Sequence, residues 1–219
     1  MHEGIFQQFV EWVIHHGGLY VLLFIIFAET GLFVGFFLPG DSLLFAGGIY
    51  IDELASNFFH INYIVLIVLV IVASFTGSML GYWIGFKTGP AMFQWRDRFL
   101  YKKKYLLQAK GFYEKHGKST IFLSKFLPVV RTFAPLVAGI VQMPRSVFIL
   151  FNLAGSIAWV SLMIVSGHFL QAMIEKKYGF SLKEHMELIT VVIILITTLP
   201  VIFKMVAKKK ERSNGAITR

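Results

Sequence analysis

Residues 119–143 read STIFLSKFLPVVRTFAPLVAGIVQM, an apolar stretch interrupted by Lys125, Pro128, Arg131 and Pro135. Its length suits a membrane helix, but its composition does not. A proline inside a helix removes a backbone hydrogen bond, and a Lys or Arg at the bilayer centre costs roughly 2.5–3.5 kcal/mol on insertion scales. Broken backbone at membrane depth is tolerated only where protein or a water-filled cavity surrounds it. That describes a re-entrant hairpin better than a lipid-facing span.

The rest of the chain supplies the membrane context. Hydrophobic residues make up 56% of 219 positions and charged residues only 15%, and the mean hydropathy is +0.68. This exceeds what the core of a soluble protein requires. Besides 119–143, apolar segments run over about 17–51, 61–86, 146–170 and 187–207. Segments 61–86 and 146–170 are uncharged and longer than the ~20 residues a spanning helix needs, so both are expected to cross. Segment 187–207 ends near Lys204, whose ammonium can snorkel to the interface.

The formal net charge of +9 is distributed unevenly. No Lys or Arg precedes Lys87, and the early residues carry Glu3, Glu11, Glu29, Asp41, Asp52 and Glu53. Basic residues dominate 87–118, against Asp97 and Glu114, and the tail from Lys204, against Glu211. The positive-inside rule puts both basic blocks in the cytoplasm and the 51–60 loop outside. A basic surface beside a membrane meets anionic headgroups, so the charge is read as a lipid contact and no nucleic-acid partner is expected.

Three apolar segments lie between the basic blocks, yet a chain that begins and ends on one side crosses an even number of times. Segment 119–143 is therefore the one that turns back. Segment 17–51 makes the same case by length: as one helix it would be about 52 Å, well beyond a ~30 Å hydrocarbon core, and two full crossings would need more residues. Two short arms fit, with the turn near Gly31–Gly35 or Pro39–Gly40. The expected fold is all-α, with two opposed re-entrant helical hairpins, about three full transmembrane helices and interfacial amphipathic helices. The N-terminus is expected outside and the C-terminus in the cytoplasm.

The chain reads as one membrane domain, 1–219, with a weak internal repeat. Repeat 1 covers about 1–88, with hairpin 17–51 and span 61–86. Repeat 2 covers about 91–170, with interfacial segment 91–117, hairpin 119–143 and span 146–170. The span at 187–207 and a basic tail at 208–219 follow. His16-Gly17 and Ala46-Gly47 bracket the first hairpin as His116-Gly117 and Ala138-Gly139 bracket the second. Opposed units of this kind form the inverted-repeat plan of many secondary transporters, in which discontinuous helices frame a midplane site.

There is no cysteine, so disulfides and thiolate metal sites are excluded. The N-terminal MHEGIFQQFVEW lacks a basic n-region and a small-residue cleavage site, which argues against a removable signal peptide. The histidines show no ligand spacing; neither a metal site nor a cofactor is expected. Glu29, Asp41, Lys125 and Arg131 are the candidate site residues, because ionisable groups at membrane depth are rare and mark pathways. Pro39, Gly40, Pro128, Pro135 and Gly139 are read as supporting residues that break helices or open turns. Asn152 either bonds across helices or touches substrate, and Trp159 is read as packing. Ser74, Gly77, Ser78, Gly81 and Gly85 share one helix face and are expected to permit close packing.

Three motifs carry a family resemblance: Glu29-x11-Asp41 ending in FLPGDSLL (37–44), F-L-P-V-V-R-x-x-x-P-x-x-A-G (126–139) and F-x-x-x-N-x-x-G-x-x-x-W (148–159). Together they resemble the DedA (SNARE-associated, VTT) membrane proteins over about residues 15–170. The resemblance implies opposed re-entrant hairpins, residence in a bacterial inner membrane and lipid transport, with undecaprenyl phosphate or a phospholipid as cargo. It also implies that two acidic and two basic residues matter. Glu29, Asp41 and Arg131 match three of these, and Lys125 stands where Arg is common, keeping charge but not the planar fork.

The residues themselves point the same way. A phosphate headgroup crossing hydrocarbon must be neutralised, and Lys125 and Arg131 can supply charge-assisted contacts. Substrate that occupies the cations would release a carboxylate to take up a proton, making protons and phosphate lipids the expected partners, alongside further copies of the chain. Two other classes share these features. A scaffold needs no hydrated path between the hairpins. A membrane lipid phosphatase would use Lys125-x5-Arg131 and Ser166-Gly167-His168, but the first spacing is one residue short and no third motif supplies a His nucleophile.

Overall fold

A computed structural model describes residues 18–32, 40–52, 54, 62–94, 119–179 and 182. Six helices occur among them: α1 Gly18–Gly31, α2 Gly40–Ile49, α3 Tyr63–Gln94, α4 Ser119–Ser124, α5 Pro128–Ile140 and α6 Arg145–Tyr178. No strand interrupts them among the described residues. Residues 1–17, Pro39, most of the interfacial segment, the 187–207 span and the basic tail lie outside the described residues.

Length divides the helices into two kinds. Tyr63–Gly89 of α3 and Arg145–Lys177 of α6 are long and apolar enough to cross a membrane. Both outlast the spans read from hydropathy, because helical backbone continues past the apolar segment into flanking residues such as Lys87, Lys176 and Lys177. Their outer faces carry large apolar side chains, among them Val68, Val72, Leu150 and Leu162, and Phe169 is 71% exposed. In water such a surface would be an aggregation site; against acyl chains it is at home.

The other four helices are short, and their ends follow local chemistry. Leu127 is extended, as a residue before proline prefers, and Pro128 takes the first turn of α5, where its missing N–H is harmless. Contrary to its reading as a breaker, Pro135 lies inside α5, which continues to Ile140. Its ring instead sits 3.4 Å from the position a Cβ on Gly81 would take, so close packing on α3 holds the helix together across the lost hydrogen bond. The helix stops where the Met143 N–H bonds the Ala138 carbonyl and the Gln142 N–H bonds Gly139, with Gln142 left-handed at φ 55°. At the end of α6 Gly179 plays the same part at φ 70°.

Packing follows a cross-over rule. Among the short helices, α1 lies on α3 and α4 on α6, whereas α5 lies on α3 and α2 on α6. The two cross-over interfaces are built alike. A Cβ on Gly85 would strike the Leu136 carbonyl and one on Gly139 the Tyr82 carbonyl. In the other interface a Cβ on Gly167 would strike the Phe45 carbonyl and one on Gly48 the Ile164 carbonyl. Each glycine thus faces the carbonyl three residues before the glycine opposite, a backbone approach that only a missing side chain permits. In these interfaces Gly48 makes the backbone approach that Gly139 makes, while a Cβ on Gly47 would meet only the Leu22 and Leu54 side chains. The offset that carries Gly85 onto Gly167 also carries Ser74 onto Ser156, and these two hydroxyls lie 3.3 Å apart.

Neighbouring glycines are expected to behave oppositely. Gly48→Ala forces its methyl into backbone and should lower stability by about 1–3 kcal/mol, whereas a methyl on Gly47 meets Leu22 at an ordinary 3.5 Å and Gly47→Ala should be near neutral. Thermal unfolding of both variants in detergent checks this, and equal losses would overturn the register.

Candidate functional site

Three of the four candidate charges arrive from three different helices. Glu29 is in the last turn of α1, Asp41 in the first turn of α2, and Arg131 in the first turn of α5. Asp41 suits its position, since a helix N-terminus favours negative charge. Glu29 and Arg131 each occupy the wrong helix end for their sign, at a penalty of about 0.3–1 kcal/mol apiece. Given that both are buried, pairing holds them there, because stranding either charge alone would cost about 3–5 kcal/mol.

The guanidinium is shared. Its Nη1 donates to Asp41 Oδ1 and its Nη2 to Glu29 Oε1. Arg131 is only 2% exposed and Glu29 3%. The Trp159 ring lies 4.5 Å from the guanidinium carbon, and the Trp159 Nε1–H donates to Asp41 Oδ1 at 3.1 Å. One side chain from α6 therefore steadies both members of an ion pair, by cation–π attraction and by a hydrogen bond. Reading Trp159 as packing misses this, because nothing in its local sequence names its partner. Arg131 Nε and Glu29 Oε2 have no hydrogen-bond partner among the described residues.

Gly40 belongs to the site as well as to the start of α2. Any Cβ there would overlap Glu29 Oε2, so the bare α-carbon is what lets the carboxylate reach Arg131. Pro39, next to it, is outside the described residues. Pro128 starts the helix that carries Arg131. Pro135 and Gly139 contact α3 instead of the charges. Asn152 uses its Nδ2–H₂ to bond the Phe75 carbonyl at 3.2 Å, which ties α6 to α3, while its Oδ1 has no partner among the described residues.

Lys125 stands apart from this triad. It occupies the break between α4 and α5, is 1% exposed, and donates to Ser78 Oγ at 2.8 Å and to Ser74 Oγ at 3.3 Å. No carboxylate lies within ion-pair distance of it among the described residues. Gly155 makes room for its stem, since a Cβ there would lie 2.9 Å from Lys125 Cγ. The two neighbourhoods are joined through Ser74, whose carbonyl accepts from Thr30 Oγ1 at 3.2 Å while its hydroxyl serves the lysine. Ser74, Ser78 and Ser156 were legible only as small residues on helix faces; their polar role depends on which lysine reaches them.

The S-G-H segment behaves as helix packing. Ser166 bonds back to the Met163 carbonyl at 3.0 Å, and Gly167 faces α2. No group of three or more His, Asp or Glu side chains gathers among the described residues.

The VTT domain family matches residues 38–169. The chain is 36% identical over 199 residues to Protein DedA of Escherichia coli K12, covering 90% of this chain and 87% of that protein. It is 35% identical over 194 residues to an uncharacterized membrane protein of Mycobacterium tuberculosis H37Rv, covering 89% and 81%. It is 31% identical over 185 residues to the inner membrane protein YqjA of Escherichia coli K12, covering 82% and 80%. No solved structure matches. With helices of membrane-spanning length, the three motifs and these relatives in agreement, the chain belongs to the VTT-domain DedA family of membrane proteins.

Proposed function

We propose that this protein moves a lipid with an anionic phosphate headgroup between the leaflets of a bacterial inner membrane, coupled to protons. Undecaprenyl phosphate, or a phospholipid, is the cargo that the family resemblance favours. The supporting observation is the buried, shared Arg131. A charged triad replaced by apolar residues of similar volume often leaves a protein equally or more stable, so a fold alone has little need of one. A transporter has such a need, because the triad can open and re-form.

Electroneutrality supplies the coupling. Glu29, Asp41, Lys125 and Arg131 cancel formally, and an unbalanced charge at the bilayer centre costs roughly 2.5–3.5 kcal/mol. An entering phosphate therefore leaves excess negative charge unless Glu29 or Asp41 accepts a proton. The carboxylate that loses Arg131 when the triad opens is the one exposed to protonation. In this reading α1–α2 and α4–α5 are opposed re-entrant hairpins in inverted repeats about an axis through Ser74 and Ser156. The N-terminus faces outward and the basic segments face the cytoplasm.

Reconstitution in liposomes with several labelled lipids, with and without a pH gradient, tests the proposal. The wild type should accelerate movement of an isoprenyl phosphate, and Arg131→Ala should lose at least about tenfold of that rate, the effect of losing the charge-assisted bonds by which the triad re-forms. Glu29→Gln and Asp41→Asn should abolish the response to the gradient. Inactivity of the wild type toward every lipid would favour a scaffold, a reading in which the charges only lock hairpin to hairpin. Free phosphate released from the lipid would point to a phosphatase.

Stability separates locking from transport. Arg131→Ala should cost about 3–5 kcal/mol in detergent unfolding, because it strands two buried carboxylates. The neutral triple variant Glu29→Gln/Asp41→Asn/Arg131→Met should recover most of that stability and none of the transport. Recovery of both would remove the functional role of the charges. Arg131→Lys should not rescue transport, since an ammonium cannot fork between two carboxylates and stack on Trp159.

A further inference from the structure

Arg131 and Lys125 are both buried cations, but their surroundings differ in kind. Arg131 faces two carboxylates. Among the described residues the Lys125 ammonium meets hydroxyls alone: Ser78 at 2.8 Å, Ser74 at 3.3 Å, and Ser156 one step further, 3.3 Å from Ser74. All three serines are buried.

A donor count shows what this place lacks. The ammonium has three N–H groups, of which two meet Ser74 and Ser78, and the third has no partner among the described residues. Ser78 accepts from the lysine, and its own O–H finds no acceptor among the described residues. Ser74 and Ser156 share a single contact between them. Among the described residues the cluster therefore gathers a buried lysine nitrogen and surplus donors with no anionic acceptor. Buried donors without acceptors are unfavourable, and a phosphate oxygen, anionic and rich in lone pairs, is the chemical complement.

We infer that Lys125, Ser74, Ser78 and Ser156 form the subsite for the terminal phosphate oxygens of the lipid, while the Arg131 triad closes the protein over it. This rests on the proposed transport function and assigns its two cations different jobs. Lys125 binds cargo. Arg131 ties α5 to α1 and α2, and in this proposal its release opens the way to the serines. The serine pair also occupies equivalent positions in the two halves, so a headgroup seated there can be approached through either. Phosphate should enter when the triad opens and first meet Lys125, which pairs with no carboxylate among the described residues.

Binding to the intact protein in detergent tests this without transport. The probes are farnesyl phosphate, farnesol as its neutral counterpart, and inorganic phosphate, each titrated by calorimetry. Wild type should bind farnesyl phosphate well above farnesol. Ser78→Ala should weaken that binding about tenfold, the effect of one hydrogen bond to a charged oxygen, with farnesol unaffected. Ser156→Ala should weaken it less. Ser78→Thr, which keeps the hydroxyl, should restore it, whereas a purely structural role for Ser78 would respond to size instead. Lys125→Gln should remove the preference for phosphate. Inorganic phosphate binding as well as the lipid would mean a site for free anion, and would overturn the lipid assignment. Wild-type binding that Ser78→Ala and Lys125→Gln leave intact would overturn the subsite alone. A wild type that binds no phosphate would overturn the transport reading with it.

Discussion

Hydrocarbon cannot solvate a charge, and the arrangement around Arg131 follows from that constraint. One guanidinium must satisfy two carboxylates at once, so three helix ends converge on it: the end of α1, the start of α2 and the start of α5. Convergence in turn requires that these helices be short, because a continuous span would carry its charges past the meeting point. Gly40 and Pro128 make the short helices possible, the first by leaving space for Glu29 and the second by starting α5 where an N–H is dispensable.

The neighbouring helices are adapted to the same end by smallness. Water provides no hydrophobic drive between helices in a membrane, so contact must come from close packing and interhelical hydrogen bonds. The glycine interfaces Gly85–Gly139 and Gly48–Gly167 supply the first, and Ser74, Asn152 and Thr30 supply the second. Small residues serve twice over: where α3 meets α5 they admit backbone, and where α3 meets Lys125 they admit an ammonium. A helix face that looks uniform in composition thus divides into a packing half and a polar half.

The two cations illustrate why lysine and arginine are not interchangeable here. Arg131 uses the planar fork and its stacking face, bonding two acids while lying on Trp159. Lys125 presents a compact point charge to hydroxyls and requires only a narrow passage, which Gly155 provides. Lys125 therefore fits a pocket of serines, for which a fork has no use.

The sequence by itself determined the membrane class, the two long apolar helices, the interruptions near Gly31–Gly40 and around Lys125–Pro128, and the identity of the four ionisable groups. All of these depend on local properties: hydropathy over a helix length, backbone chemistry at Gly and Pro, and the penalty for charge in lipid. Only the tertiary structure decided that one arginine holds both acids while the lysine rests on serines. It also decided that Trp159 is a hydrogen-bond donor to Asp41, that Pro135 stays inside a helix, and that Gly48 marks the register. Those choices join residues such as Asp41 and Trp159, far apart in the chain. Nothing local to either position encodes which partner closes the contact, because that depends on how helices pack and not on how each one forms.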